Sequence, residues 1–113
     1  MRKPEWIFQC QTVRALRTAG FITFAVPNGG SRNIREAVAM KASGTLAGAP
    51  DLVVAKNGRV WFIELKTGKG RQSPAQKEFE QACWDNNIHY CVISTFGVLE
   101  YFINNLTMPQ KKL

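Results

Sequence analysis

Two hydrophobic rhythms alternate along the chain. From Pro4 to about Arg17, Trp6, Cys10, Val13 and Leu16 recur at i, i+4, i+7 and i+10, the spacing of one helix face; Pro4 suits a first turn and Gly20 closes the segment. Phe21 to Val26 is β-branched and aromatic, as a strand is, and stops at Pro27-Asn28-Gly29-Gly30. Ser31 to Ala49 is small and polar, with room for a short helix around Arg35 to Lys41. Asp51 to Ala55 and Val60 to Leu65 are apolar runs joined by Lys56-Asn57-Gly58-Arg59. Asn-Gly between such runs is the strongest short-range hairpin signal, because both turn residues must take positive φ. After a basic, glycine-rich stretch from Lys66 to Gln72, Ser73-Pro74-Ala75-Gln76 opens a helix twice over: Ser with Gln three residues on is a capping box, and proline suits the first turn. That helix runs to about Asn86. Ile88 to Ser94 reads as a fourth strand and Val98 to Asn104 as a last short helix. The core order is α-β-β-β-α-β-α, an α/β fold whose mixed four-stranded sheet carries helices on both faces.

The hairpin predicts its own register. With Asn57 and Gly58 as the loop, Lys56 faces Arg59, Ala55 faces Val60, Val53 faces Phe62 and Asp51 faces Glu64. Side chains alternate, so Asp51, Val53, Ala55, Val60, Phe62, Glu64 and Lys66 share one face, and Leu52, Val54, Trp61, Ile63 and Leu65 fill the other. Both faces are apolar in the middle, as in a strand pair buried on two sides. The polar groups gather at one end of one face.

Opposed residues have Cβ atoms about 4.5–5.5 Å apart, and like charges there destabilise. Two carboxylates placed so close are expected either to share a proton or to hold a cation. Oxygen ligands of this kind suit Mg²⁺ or Mn²⁺. Lys66, one pleat further, is within reach of a substrate phosphate or the attacking water, an arrangement suited to phosphodiester hydrolysis.

Composition narrows the choice of partner. The 113 residues make one domain, residues 1–113, with a net charge of +7 from 15 Lys+Arg against 8 Asp+Glu. So basic a small domain suits either a polyanionic partner, usually nucleic acid, or a merely soluble basic surface, and charge alone does not choose between them. Three cysteines without a C-x-x-C pair, and a single histidine, exclude a disulfide scaffold and a Cys/His zinc site. No apolar run reaches the ~18 residues of a membrane span. The start, Met1-Arg2-Lys3-Pro4-Glu5, lacks a signal-peptide core, so a cytoplasmic location is expected.

Pro50-Asp51, a twelve-residue gap and Glu64-Leu65-Lys66 resemble the P-D…(D/E)-x-K signature of restriction-endonuclease-like nucleases. Finer pieces resemble one branch, the VRR-NUC (virus-type replication-repair nuclease) domains: Glu5 with Gln9 one turn on, Pro27-Asn28-Gly29-Gly30 with Arg32, Gly48-Ala49-Pro50-Asp51, and Ser73-Pro74-Ala75-Gln76. They span nearly the whole chain in family order. The resemblance implies a restriction-endonuclease-like core and a Mg²⁺- or Mn²⁺-dependent DNA endonuclease from a bacterial or phage-infected cell. Asp51, Glu64 and the Leu65 carbonyl would bind the metal. Lys66 would orient water or stabilise the transition state, Glu5 would add an acidic group, and Gln76 would support the site. The small standalone members resemble Holliday junction resolvases, which implies a homodimer acting on branched DNA.

Several of these residues have a plainer reading beside the catalytic one. Glu5 equally suits a helix N-terminus, and Glu36 is its rival as the extra acid. The capping box already explains Gln76. Lys69 and Arg71 in the basic loop, with Asn28, Arg32 and Arg35 from the earlier one, are the candidate phosphate contacts. His89 reads as a packing residue, and the cysteines as small buried hydrophobes. The principal alternative is a nucleic-acid-binding module of the same fold without catalysis.

Overall fold

Asn57 at φ 52° and Gly58 at φ 81° both take the left-handed conformation, and the hairpin they close has the expected register. In the computed structural model, which describes residues 3–27 and 33–109, Lys56 pairs with Arg59, Ala55 with Val60, Val53 with Phe62 and Leu52 with Ile63. The hairpin strands, β2 (Leu52–Lys56) and β3 (Arg59–Leu65), form the centre of the sheet. β1 (Ile22–Ala25) lies antiparallel outside β2, and β4 (His89–Ile93) lies parallel outside β3. The sheet is therefore mixed, in the order β1-β2-β3-β4. Four helices accompany it: α1 (Lys3–Thr18), α2 (Ile34–Ala42), α3 (Pro74–Asp85) and α4 (Phe96–Asn105). The full order is α-β-α-β-β-α-β-α, because the segment around Arg35 does form a helix, α2. Its N-cap Asn33 accepts the Glu36 amide at 2.8 Å, and none of its residues is buried.

One face of the sheet carries the core. Leu52, Val54, Trp61, Ile63, Cys91 and Ile93 pack against Phe8, Leu16, Phe21, Leu99 and Phe102 from α1, α4 and the turn before β1. On the opposite face Phe79 of α3 meets Phe62 and Tyr90, with ring centroids 5.7 and 6.1 Å apart. Away from α3 that second face is open: Ile22 and Phe24 of β1 and Val60 at the start of β3 are exposed, so the two-sided burial expected from the apolar pattern holds only where α3 lies.

The buried stripe of α1 differs from the expected one. Phe8, Thr12 and Leu16 are buried, whereas Trp6 is 58% exposed and Cys10 is also exposed. A helix turns about 100° per residue, so the Phe8–Thr12–Leu16 row is rotated well away from Trp6 and Cys10. Phe8 wins because its ring packs edge-on against Phe96, centroids 5.2 Å apart. A polar Thr in the middle of the row hid it.

Candidate active site

Gly48 sets the local geometry that brings Asp51 to α3. It sits at φ +82°, and a Cβ there would overlap the Ala75 carbonyl and the Gln76 amide. Only glycine lets the chain take that conformation and pass so close to the first turn of α3. Three residues on, Asp51 continues the β1–β2 ladder, its carbonyl accepting the Val26 amide at 2.9 Å. Its side chain turns towards β3, where Oδ2 accepts the Leu65 amide at 2.7 Å. The register that pairs Leu52 with Ile63 carries Asp51 to the position facing Glu64.

Glu64 is 1% exposed at the end of β3. Burial first, and then a hydrogen bond and negative charge from Asp51, push its carboxyl from the usual 4.5 up to about 8, while Lys66 and Tyr90 pull it the other way. Tyr90 donates its hydroxyl to Glu64 Oε2 at 3.2 Å. Lys66 Nζ stands 3.9 Å from Glu64 Oε1, too far for a tight ion pair, and instead donates to Gln76 Oε1 at 2.8 Å. That same oxygen accepts the Ser73 amide at 2.8 Å, and Gln76 returns its own amide to Ser73 Oγ at 3.2 Å. Gln76 thus closes the capping box of α3 and holds the lysine with one atom.

These groups adjoin a cleft of about 430 Å³, lined by Ala37, Met40 and Lys41 of α2, the 45–49 segment, Asp51, Ser73 and Gln76. α3 and α4 both begin beyond the C-terminal ends of β3 and β4, and the first turn of α1 lines a hollow with Thr67–Gly70 of the loop after β3. Three helix N-termini, each with a positive partial charge, therefore gather at this end of the sheet. Lys69 and Arg71 are exposed on the loop there, and Arg35 is exposed on α2. Asn28 and Arg32 lie outside the described residues. Glu5 borders the hollow beside Thr67–Gly70, and Glu36 is exposed on α2. Neither joins the carboxylate pair: among the described residues no three His, Cys, Asp or Glu side chains form a metal-binding group. The oxygen donors that do converge are Asp51 and Glu64, with the Leu65 backbone beside them. Such an all-oxygen set suits a hard divalent cation, and a second positive charge would relieve the burial of Glu64.

Away from the site, His89 stacks on Trp61 with centroids 5.7 Å apart. Burial raises the thiols of Cys83 and Cys91, the latter to about 12, which disfavours the thiolate form at both. Sequence reasoning missed Tyr90, Gln72 and Glu80. A buried tyrosine in an apolar strand needs a partner for its hydroxyl, and that was the available signal. Naming the partner required the β3–β4 register, which a helical crossover does not encode.

The VRR-NUC domain model matches residues 9–96, a span that contains Asp51, Glu64, Lys66 and Gln76 and leaves out Glu5. Two solved structures resemble the fold. One, a VRR-NUC domain protein, superposes with a TM-score of 0.72 at 21% identity, covering 96% of this chain and 92% of its own. The other, a VRR-NUC domain, gives 0.66 at 19% identity, covering 91% and 97%. No curated protein matches the chain. No helix of the described residues is long and apolar enough to cross a membrane.

Proposed function

The chain belongs to the VRR-NUC domain family, a nuclease-type family, and from that premise we propose that it is a Mg²⁺- or Mn²⁺-dependent endonuclease that hydrolyses DNA phosphodiester bonds. The observation that carries this reading is the pairing of buried Glu64 with half-buried Asp51 at a cleft, with Lys66 held beside them. Asp51, Glu64 and the Leu65 carbonyl would hold the cation, which when bound supplies Lewis-acid charge at the scissile phosphate and makes water a better nucleophile.

The remaining work falls to the chain's own groups. Gln76 Oε1 accepts a hydrogen bond from the Lys66 ammonium, which leaves its other two N–H groups for the phosphate or the incoming water. Charge that builds up on the phosphoryl oxygens is met by that fixed ammonium in a partly buried setting, where it counts for more than in water. Lys69, Arg71 and Arg35, together with the helix N-termini, bind the flanking phosphates and fix the backbone in the cleft. Glu5, beside the loop, serves as an outer acidic group on the substrate side. The substrate is duplex or branched DNA. A domain of this size grips little of it alone, so a two-fold dimer that pairs two sites on one junction is part of the proposal.

The test is a cleavage assay on duplex, flap, single-stranded and four-way-junction DNA, with Mg²⁺, Mn²⁺ or EDTA, run for the wild type and Lys66→Ala. Cutting that needs the cation and is lost in the variant is the expected result. DNA that is bound but uncut under every condition would mark a binding module instead.

A further inference from the structure

Behind the carboxylate pair, on the α3 side of the sheet, a run of polar side chains leads from α3 to Glu64. Trp84 Nε1 donates to Glu80 Oε2 at 3.3 Å. Gln72 Nε2 donates to Glu80 Oε1 at 3.0 Å and to the Tyr90 hydroxyl oxygen at 3.3 Å. Tyr90 in turn donates to Glu64 Oε2 at 3.2 Å. The chemistry of these groups gives the run one direction. Glu80 Oε1 accepts from Gln72 Nε2, which sets the Gln72 amide with its NH₂ group towards both Glu80 and Tyr90. An NH₂ group only donates, so the Tyr90 oxygen must accept from it and keep its single proton for Glu64. The ring cannot swing away: Tyr90 is 3% exposed, pairs with Phe62 in the β3–β4 register and packs on Phe79.

We propose that Tyr90 is a positioning residue of the site, whose hydroxyl, oriented by Gln72, fixes Oε2 of Glu64 and so presents Oε1 to the cation. This rests on the metal-dependent reading above and goes beyond it by naming what holds the ligand. Hydrogen-bonded partners of ligating carboxylates set ligand orientation, and losing one typically costs 10–100-fold in metal affinity. Gln72 directly follows the basic stretch from Lys66 to Arg71, so two hydrogen bonds join the phosphate-facing loop to the ligating carboxylate.

The experiment is calorimetric titration of DNA-free protein with Mn²⁺, using the wild type, Tyr90→Phe and Gln72→Met, with a thermal melt of each metal-free protein. Tyr90→Phe keeps the ring and removes only the hydroxyl. Its Mn²⁺ dissociation constant should rise about 10- to 100-fold, at a melting temperature close to wild type. Gln72→Met, which leaves the hydroxyl without its fixed donor, should show a smaller rise. In cleavage, Tyr90→Phe should need more Mn²⁺ for half-maximal rate with an unchanged KM for DNA. Wild-type Mn²⁺ affinity in Tyr90→Phe overturns the inference. So does a loss that appears only with a collapsed melt while Gln72→Met binds as wild type. If the folded wild type takes up no Mn²⁺, the metal-dependent function itself fails, and this assignment with it.

Discussion

Lys66 Nζ and Gln76 Oε1 are joined at 2.8 Å through the oxygen that also closes the capping box of α3. One side chain thereby ties helix initiation to the orientation of the ammonium. Lys66→Ala should lower the cleavage rate at least ~100-fold while DNA binding persists, the scale seen when a preorganised charge donor is removed. Gln76→Ala should cost about 0.5–2 kcal/mol from the lost cap and a further drop in rate, since the lysine loses its fixed acceptor. Single-turnover kinetics beside urea melts separate the two effects; unchanged kinetics in Gln76→Ala would limit the residue to capping.

Glu64 makes the metal-free protein sensitive to alkali. Folded, it keeps its proton up to about pH 8; unfolded, it releases it near 4.5. Between those values the folded state binds more protons, so its stability must fall as pH rises. The loss is absent below the lower value and complete above the upper one. Glu64→Gln, which has no proton to lose, should remove this slope. Thermal melts in EDTA from pH 4.5 to 8 test it; parallel curves for wild type and variant would show that Glu64 does not titrate there.

Gly48→Ala should destabilise by more than ~1 kcal/mol, because alanine resists a positive φ and its methyl would also collide with Ala75 and Gln76. The displaced strand entrance carries Asp51, so Mn²⁺ affinity should fall as well. Gly58→Ala, also at positive φ but with open space around its Cβ, is the control: it should cost stability without touching Mn²⁺ binding.

Lys69 and Arg71 face solvent on the loop beside the site. If each neutralises a phosphate, replacing one by alanine should reduce the slope of log K against log salt by about 0.9 on duplex DNA. Filter binding across a salt series reads this directly. A slope that does not move would remove the loop from the DNA interface.

Thr12 is fully buried on the inner face of α1, and its hydroxyl has no hydrogen-bond partner among the described residues. Thr12→Val keeps the shape and removes a desolvated polar atom, which should raise stability by up to ~1–3 kcal/mol with activity unchanged. A destabilised variant would reveal a partner for the hydroxyl.

Much of the site was legible because its information is local. The Asn57-Gly58 turn sets the register of a two-residue hairpin, and strict alternation then carries Asp51 and Glu64 to facing positions. Ser73 and Gln76 announce α3 for the same reason, since a capping box spans one turn. The stripe of α1 was misjudged because Thr12 interrupts the buried row, and only packing against Phe96 and the sheet chooses among rows of similar apolarity.

By itself, the sequence determined the hairpin and its register, the capped start of α3, the mixed α/β order, the net positive charge and the approach of Asp51 and Glu64. These follow from turn chemistry, periodicity and charge, which act over a few residues. Tertiary structure alone decided that Gln76 would hold Lys66, that Tyr90 and Gln72 would back Glu64, and that Glu5 would stay apart from the carboxylate pair. Those relations join segments through a helical crossover and across a hollow between α1 and the loop after β3, and side-chain packing, which no short stretch of sequence specifies, sets their distances.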